Sequence, residues 1–298
     1  MPTPSLRGVY VPLITPFAAD GSVAFDAIEA LACEYLDAGA AGLVPLGTTG
    51  EAPLLDGDEK RAIVELCARI GVERDAQVIV GSGTNNTAST VEATMAYGAI
   101  EGVSHAMVVV PYYVRPSQAG IVAHVTAAAD ASPVPVVVYN IPIRSGRVLE
   151  APGMLELAAH PNVVGVKQAV DGIDMATLEI LAGAPRDFAV LGGDDPYLFP
   201  TVLLGGAGAI CASAHVCTDR FVQMIECGLA GKVDEGRAHH EALLPVVKAC
   251  FTEPNPSVFK AVLHAQGKIP TPDLRLPLLP ASAASRDAAL AAIEAAAG

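Results

Sequence analysis

The sequence predicts an α/β fold, a closed (β/α)8 TIM barrel followed by a small C-terminal helical domain. Three observations lead there. Apolar runs alternate with amphipathic segments eight times before residue 212. The runs are apolar throughout, the pattern of parallel strands covered on both faces. Each strand–helix unit is too short to stand alone, and eight of them are the number that closes such a sheet. An open doubly wound sheet is the runner-up, but its glycine-rich dinucleotide loop has only the two glycines of Gly81-Ser82-Gly83 to represent it.

Taken in order, the first strand spans 9–14 and ends in Thr15-Pro16; the helix at 25–38 stops at Gly39, a residue suited to a helix C-terminus. The second strand, 41–46, runs into Gly47-Thr48-Thr49-Gly50-Glu51, and the helix at 58–71 carries mixed charges on its outer face. The third strand, 77–80, precedes a helix at 87–100. The fourth, 105–110, ends in Pro111-Tyr112-Tyr113 before a helix at 118–131. The fifth, 134–139, ends in Asn140-Ile141-Pro142 before a shorter helix at 151–160. After Pro161 the run Asn162-Val163-Val164-Gly165-Val166-Lys167 reads as the sixth, followed by a helix at 174–182. The seventh, 188–191, ends in Gly192-Gly193-Asp194-Asp195; the helix at 196–204 follows, with capping as the ordinary role for the two aspartates. The eighth is 207–211.

Beyond that point the alternation stops. Helices are expected at 219–229, 233–250, 257–266 and 285–297, separated by Gly231, the turn Glu253-Pro254-Asn255-Pro256 and the proline-rich stretch 270–280. The first completes the barrel, which gives a catalytic domain at 1–230 and a helical domain at 231–298.

Composition narrows the function. With 298 residues, 52% hydrophobic and 17% charged, the chain can fill a large core and leave surface for other subunits to cover. A net charge of -14 argues against nucleic acid as a partner. No apolar run approaches a membrane span, and the N-terminus lacks the pattern of a signal peptide. The six cysteines form no C-x-x-C pair and read as reduced, buried thiols of a cytoplasmic protein. The seven histidines lack metal-ligand spacing, and His239-His240 reads as solvated, so neither a metal nor another cofactor is expected. No G-x-S-x-G is present to support an esterase-type serine.

The chemistry is expected at the C-terminal ends of the strands. Lys167 closes an apolar strand, where an ammonium is costly unless paired or neutral. It either snorkels to the rim or serves as an amine nucleophile. The other five lysines, Lys60, Lys232, Lys248, Lys260 and Lys268, fall on predicted helices or their ends, where solvation is expected. That census favours a functional Lys167. A neutral amine there attacks a carbonyl and forms a Schiff base, an electron sink for making or breaking C–C bonds. Tyr139 and Tyr113 are candidate proton shuttles, with Thr49 able to donate and accept between them; a rim or subunit contact is the alternative for either tyrosine. Gly47-Thr48-Thr49-Gly50 is a carboxylate cradle or simply a tight turn. Arg144, with Arg115 and Arg147 as alternatives, either forks a second carboxylate or is a solvated loop residue.

In combination and order, these strand ends resemble the dihydrodipicolinate synthase and N-acetylneuraminate lyase superfamily of Schiff-base pyruvate enzymes. The resemblance spans nearly the whole chain. It is carried by Gly47-Thr48-Thr49-Gly50-Glu51, Pro111-Tyr112-Tyr113-Val114-Arg115-Pro116, Tyr139-Asn140-Ile141-Pro142-Ile143-Arg144-Ser145-Gly146, Gly165-Val166-Lys167 and Gly192-Gly193-Asp194-Asp195. Arg144, Glu253-Pro254-Asn255-Pro256 and Leu274-Arg275-Leu276-Pro277 resemble the synthase branch, which condenses pyruvate with L-aspartate semialdehyde in lysine biosynthesis. The resemblance implies Lys167 as the imine former. It also implies a proton relay of Thr49, Tyr139 and Tyr113, the last supplied by a neighbouring subunit. Thr48 and Thr49 would hold the pyruvate carboxylate, Arg144 the aldehyde's, and backbone groups of Gly193 and Ile210 would complete the site. The implied assembly is a homotetramer, a dimer of dimers.

Three departures stand out. Gln168-Ala169-Val170 replaces the acidic and hydroxyl residues usual after the lysine. It raises, as alternatives, an aldolase or dehydratase of 2-keto-3-deoxy sugar acids and, further off, a pyruvate-binding homologue without turnover. Ser145 stands where threonine is usual and keeps the hydroxyl. Pro53, Gly57, Lys60 and Ser89 occupy positions that match the lysine-feedback site, so inhibition by L-lysine is expected to be weak or absent.

Overall fold

A computed structural model describes residues 6–297. Its eight strands are β1 (Gly8–Val11), β2 (Gly42–Leu43), β3 (Gln77–Gly81), β4 (His105–Val109), β5 (Val136–Asn140), β6 (Val163–Gln168), β7 (Ala189–Gly192) and β8 (Gly208–Ile210). They pair in parallel, in sequence order, and β8 returns to β1, so the sheet is a closed barrel and not an open one. The helices that link them are α1 (Phe25–Asp37), α2 (Gly57–Arg74), α3 (Thr87–Gly98), α4 (Gln118–Ala131), the one-turn α5 (Pro142–Ser145), α6 (Ala151–Ala158), α7 (Met175–Gly183), α8 (Leu198–Leu203) and α9 (Thr218–Leu229). Three more follow: α10 (Val233–Cys250), α11 (Ser257–Ala265) and α12 (Ala283–Ala297).

The all-apolar strands are explained by their two buried faces. Side chains alternate across a strand. Val137 and Tyr139 of β5, Ala189 and Leu191 of β7, and Ile210 of β8 pack together inside the barrel. Their neighbours Val136, Val138, Val166 and Val190 pack outward under α4, α6 and α7. Helices α4, α7 and α2 begin on side-chain caps. Ser117 and Asp174 accept hydrogen bonds from Gly120 N and Thr177 N, and Asp56 with Glu59 forms a capping box at the start of α2.

Some strands are shorter than the apolar runs that announce them. β1 stops at Val11 and β2 at Leu43. Pro12 and Pro45 lack an N–H for the ladder, and Leu46 turns to a positive φ of 58°. One-turn α5, within a stretch read as a loop, begins at Pro142, a residue well suited to the first turn. Asp194 and Asp195 do not cap the helical segment they precede. Asp194 accepts instead from Asp171 N and Asp195 from Ser213 N.

The C-terminal helices share an apolar cluster that includes Val246, Phe259, Val262 and Ala289. Leu243, Val247 and Leu263 of the same helices enter the cluster beneath the barrel's own helices. His239 and His240 are half-buried rather than solvated, and His240 lies 5.9 Å from the Phe199 ring. All six cysteines are free; Cys67, Cys211 and Cys250 are buried, whereas Cys33, Cys217 and Cys227 are only partly so. Among the described residues no helix is long and apolar enough to cross a membrane.

Candidate active site

The site begins with the register between β5 and β6. Tyr139 pairs with Lys167, so two inward residues stand side by side at the C-terminal ends of adjacent strands. Lys167 is 6% exposed and its Nζ lies 4.4 Å from the centre of the Tyr139 ring. Among the described residues this ammonium position has no hydrogen bond and no carboxylate within ion-pair distance. On the β7 side, the chain gives way at Gly193. A Cβ there would stand 3.0 Å from Lys167 Cγ and 2.9 Å from Ala169 Cβ, so glycine is what lets the lysine stem lie flat against this loop.

Lys260 overturns the expectation that the other lysines are solvated. It is fully buried in α11, ion-paired to Glu51 at 2.5 Å, and donates to Asp273 O at 2.9 Å. Its ammonium also sits 4.1 Å from the Phe17 ring centre. Burial holds its pKa down, to about 8, and the charge of Glu51 works against that fall. The fold therefore contains two buried lysines, one fully partnered and one not.

The loop after β2 is held from several sides. Thr49 is buried and Thr48 half-buried. Gly50 N and Glu51 N close the turn onto Gly47 O and Thr48 O. Among the described residues the amide N–H groups of Thr48 and Thr49 have no protein acceptor, which leaves two donors for an anion. The Thr15 hydroxyl donates to Gly50 O at 2.7 Å, and a Cβ at Gly50 would come within 2.9 Å of Leu13 O. Glu51 accepts from Arg275 N at 3.0 Å as well as pairing with Lys260. Asn255 Nδ2 donates to Thr49 Oγ1 at 3.0 Å.

Two aspartates lie close enough to Lys167 for its charge to act on them. Asp195 is 4% exposed, and burial raises its pKa while the bond from Ser213 N and the Lys167 charge oppose the rise. Asp194 is raised in the same way, chiefly by burial.

Gln168 points the other way. Period-two alternation turns its side chain out of the barrel, toward α7. Its Oε1 accepts from Asn140 Nδ2 at 3.1 Å, and its Nε2 donates to Thr177 Oγ1 at 3.0 Å. The Thr177 hydroxyl spends its single hydrogen on Asp174 Oδ1 at 2.7 Å. The chain of donors therefore needs an amide at 168: a carboxylate would compete with Asp174 for one hydrogen. Gln168 thus serves the sheet–helix seam, whereas the next residue, Ala169, is buried among the inward-facing residues of the barrel.

Tyr113 and Arg144 are not gathered into the barrel of their own chain. Tyr113 is 88% exposed at a positive φ of 69°, and Arg144 is also exposed. Their loops are tied together by Arg147 Nε, which donates to Pro116 O at 2.8 Å; that bond uses Arg147 structurally. Exposed Val114 and Ile143 accompany them. Among the described residues, apart from Asp75 at the end of α2, every non-glycine residue with positive φ (Leu46, Glu51, Tyr113, Arg115 and Asp171) lies in a loop after β2, β4 or β6. Backbone strain thus gathers on one face of the barrel, as it does at functional sites.

Comparison with known sequences places this arrangement. The chain matches the sequence model of the dihydrodipicolinate synthetase family across residues 5–296. The chain belongs to that family. A 4-hydroxy-tetrahydrodipicolinate synthase of Moorella thermoacetica is 40% identical over 282 residues, 95% of either chain. Among solved structures, the chloride-inhibited dihydrodipicolinate synthase of Acinetobacter baumannii, complexed with pyruvate, superposes with a TM-score of 0.93 at 30% identity, over 98% of this chain and 99% of that one. A monomeric dihydrodipicolinate synthase variant matches at 0.93 and 32% identity, over 98% of this chain and 97% of that one. Within a dihydrodipicolinate synthetase fold, sequence reasoning had missed Asn255, Glu51 and Lys260 as supports of the site. The available signals were a lysine inside the apolar run Val258-Phe259-Lys260-Ala261-Val262 and a glutamate in a glycine-rich strand-end loop.

Proposed function

We propose that this chain is a class I lyase that condenses pyruvate with L-aspartate 4-semialdehyde into 4-hydroxy-tetrahydrodipicolinate, in lysine biosynthesis. The observation that carries the reading is the unpartnered lysine, Lys167, beside the Tyr139 ring at the mouth of a dihydrodipicolinate synthetase barrel. Its amine attacks the keto carbon of pyruvate and water leaves, forming an imine. Loss of a methyl proton gives an enamine, whose carbon adds to the aldehyde. The substrate's own amino group then displaces Lys167 by attacking the imine carbon, which closes the ring and frees the enzyme.

The roles follow from position. Thr48 and Thr49 offer two amide donors and two hydroxyls to the pyruvate carboxylate. Tyr139, Thr49 and Tyr113 move the protons, and the remote exposure of Tyr113 fits a tyrosine that serves a neighbouring subunit's site. Arg144 receives the aldehyde's carboxylate, and backbone groups of Gly193 and Ile210 line the site. The barrel at 1–230 carries the chemistry and the helical domain at 231–298 buttresses it. The assembly is a homotetramer in which Tyr113, Val114 and Ile143 are covered by another copy. Pro53, Gly57, Lys60 and Ser89 leave L-lysine little to bind, although Asn85 and Tyr112 remain, and its inhibition should be weak or absent.

The test is an aldehyde panel under pyruvate. Rapid consumption of aspartate semialdehyde, without cleavage of 2-keto-3-deoxy sugar acids, is expected. Cleavage of the sugar acids alone would overturn the substrate assignment, and heat stabilisation by pyruvate without turnover on any aldehyde would overturn the enzymatic one. Of Gln168-Ala169-Val170, the departure that motivated the sugar-acid reading, Gln168 is engaged with Asn140 and Thr177 behind the sheet.

A further inference from the structure

Two consecutive backbone N–H groups after β2, those of Thr48 and Thr49, have no protein acceptor among the described residues. Bonds within the same loop set their directions. A peptide unit is planar and trans, so its C=O and the N–H that follows point opposite ways. Gly50 N donates to Gly47 O at 3.2 Å, which fixes the plane carrying the Thr48 N–H. Glu51 N donates to Thr48 O at 3.1 Å, which fixes the plane carrying the Thr49 N–H. The pair of free donors therefore keeps its alignment only while the backbone of Glu51 stays in place. That backbone lies in the left-handed region, at φ 54° and ψ 30°. A residue with a side chain holds such a conformation only where its surroundings over-determine it.

Those surroundings come from the C-terminal helical domain. Glu51 is 1% exposed; one carboxylate oxygen is ion-paired to Lys260 Nζ at 2.5 Å, and the other accepts from Arg275 N at 3.0 Å. Both anchors are held in turn. Lys260 donates to Asp273 O at 2.9 Å, and its ammonium lies 4.1 Å from the centre of the Phe17 ring, with the Arg275 guanidinium 4.6 Å from the same ring. The Arg275 side chain is engaged with Glu59 and Leu54 O, so Lys260 is the cation that answers Glu51. A buried ion pair adds little stability over apolar side chains of the same shape. What this one supplies is a fixed place for a carboxylate and, through it, for a turn. We infer that Glu51 and Lys260 are positioning residues for pyruvate: their pair holds the Thr48 and Thr49 N–H groups in line for the substrate carboxylate, so the helical domain sets the affinity for the keto acid without touching it. The inference rests on the carboxylate role proposed for Thr48 and Thr49.

The experiment compares wild type, Glu51→Gln and the double variant Lys260→Met/Glu51→Gln, each as the intact enzyme. Steady-state rates give kcat and the KM for pyruvate. Borohydride trapping gives the half-saturation concentrations of pyruvate and of methyl pyruvate, an ester with the same ketone and no carboxylate. Both variants should raise the KM for pyruvate about tenfold with kcat changed less than about twofold, the pattern of lost uniform binding. Half-saturation by methyl pyruvate should stay at its wild-type value. A loss shared equally by acid and ester, or a fall in kcat at unchanged KM, overturns the inference. So does a double variant whose KM for pyruvate is that of wild type, since packing would then be the whole role of the pair; this arm decides even where Glu51→Gln alone does not fold. Wild-type enzyme that traps methyl pyruvate as readily as pyruvate would instead remove the carboxylate cradle, a failure of the underlying reading that this control identifies separately.

Discussion

Replacing Lys260 by methionine removes an ammonium that the fold has enclosed on every side. The side chains of Lys260 and Glu51 are both fully buried, 2.5 Å apart. The variant keeps the stem's volume but strands the Glu51 carboxylate with Arg275 N as its remaining donor. Stripping one partner from a buried ion pair costs about 3–5 kcal/mol, because the surviving charge stays desolvated. An unfolding entropy of ~2.1 cal/mol/K per residue gives about 0.6 kcal/mol/K for 298 residues, so Tm should fall by roughly 5–8 °C. The pair itself is no strong stabiliser, since desolvation pulls the Lys260 pKa down, to about 8, even with Glu51 in contact. The double variant Lys260→Met/Glu51→Gln should therefore recover a large part of the loss. Thermal unfolding of the three variants at neutral pH provides the check. A Tm for Lys260→Met within about 1 °C of wild type, or a double variant as unstable as the sum of the singles, would refute the reasoning.

Two further outcomes follow from the same structure. Burial depresses the pKa of His215 from 6.5 to about 4, and its neutral ring donates from Nδ1 to Ala212 O and accepts Ile14 N at Nε2. Between those pH values the unfolded chain binds a proton that the native chain refuses, so stability is present above 6.5 and drains as pH falls toward 4, by about 3 kcal/mol for this group. Urea unfolding at stepped pH should show His215→Gln with a shallower pH dependence than wild type, and equal slopes would contradict it. Tyr113→Phe should lower kcat about a hundredfold while leaving Tm nearly unchanged, because the variant keeps the ring that packs against another copy and loses only one hydroxyl; unchanged turnover would remove it from the relay.

Which parts of this account were legible in the sequence follows from the range of the interactions. The barrel was readable because buried parallel strands must be apolar on both faces, a constraint written into each run separately. Lys167 was readable because it is the one lysine that closes such a run. The direction of Gln168 was also available, since alternation sends residue 168 outward when 167 points in; what it meets there, Thr177 and Asn140, required the fold. Lys260 was misread because helices usually carry lysine on a wet face, whereas α11 has none at that position: Glu51 lies against it from a strand-end loop and Asp273 O from the chain beyond. Asn255 looked like part of a turn between prolines. Its bond to Thr49 joins residues 206 positions apart, and no local pattern encodes such a pairing.

The central claim is that, of two buried lysines, the unpartnered one does the chemistry. It is tested most directly by borohydride reduction of the enzyme with pyruvate, followed by peptide mass spectrometry. The reduced pyruvate adduct should map to Lys167 alone, with Lys260 unmodified, and should vanish in Lys167→Ala. An adduct on Lys260, or one that persists in Lys167→Ala, would contradict it.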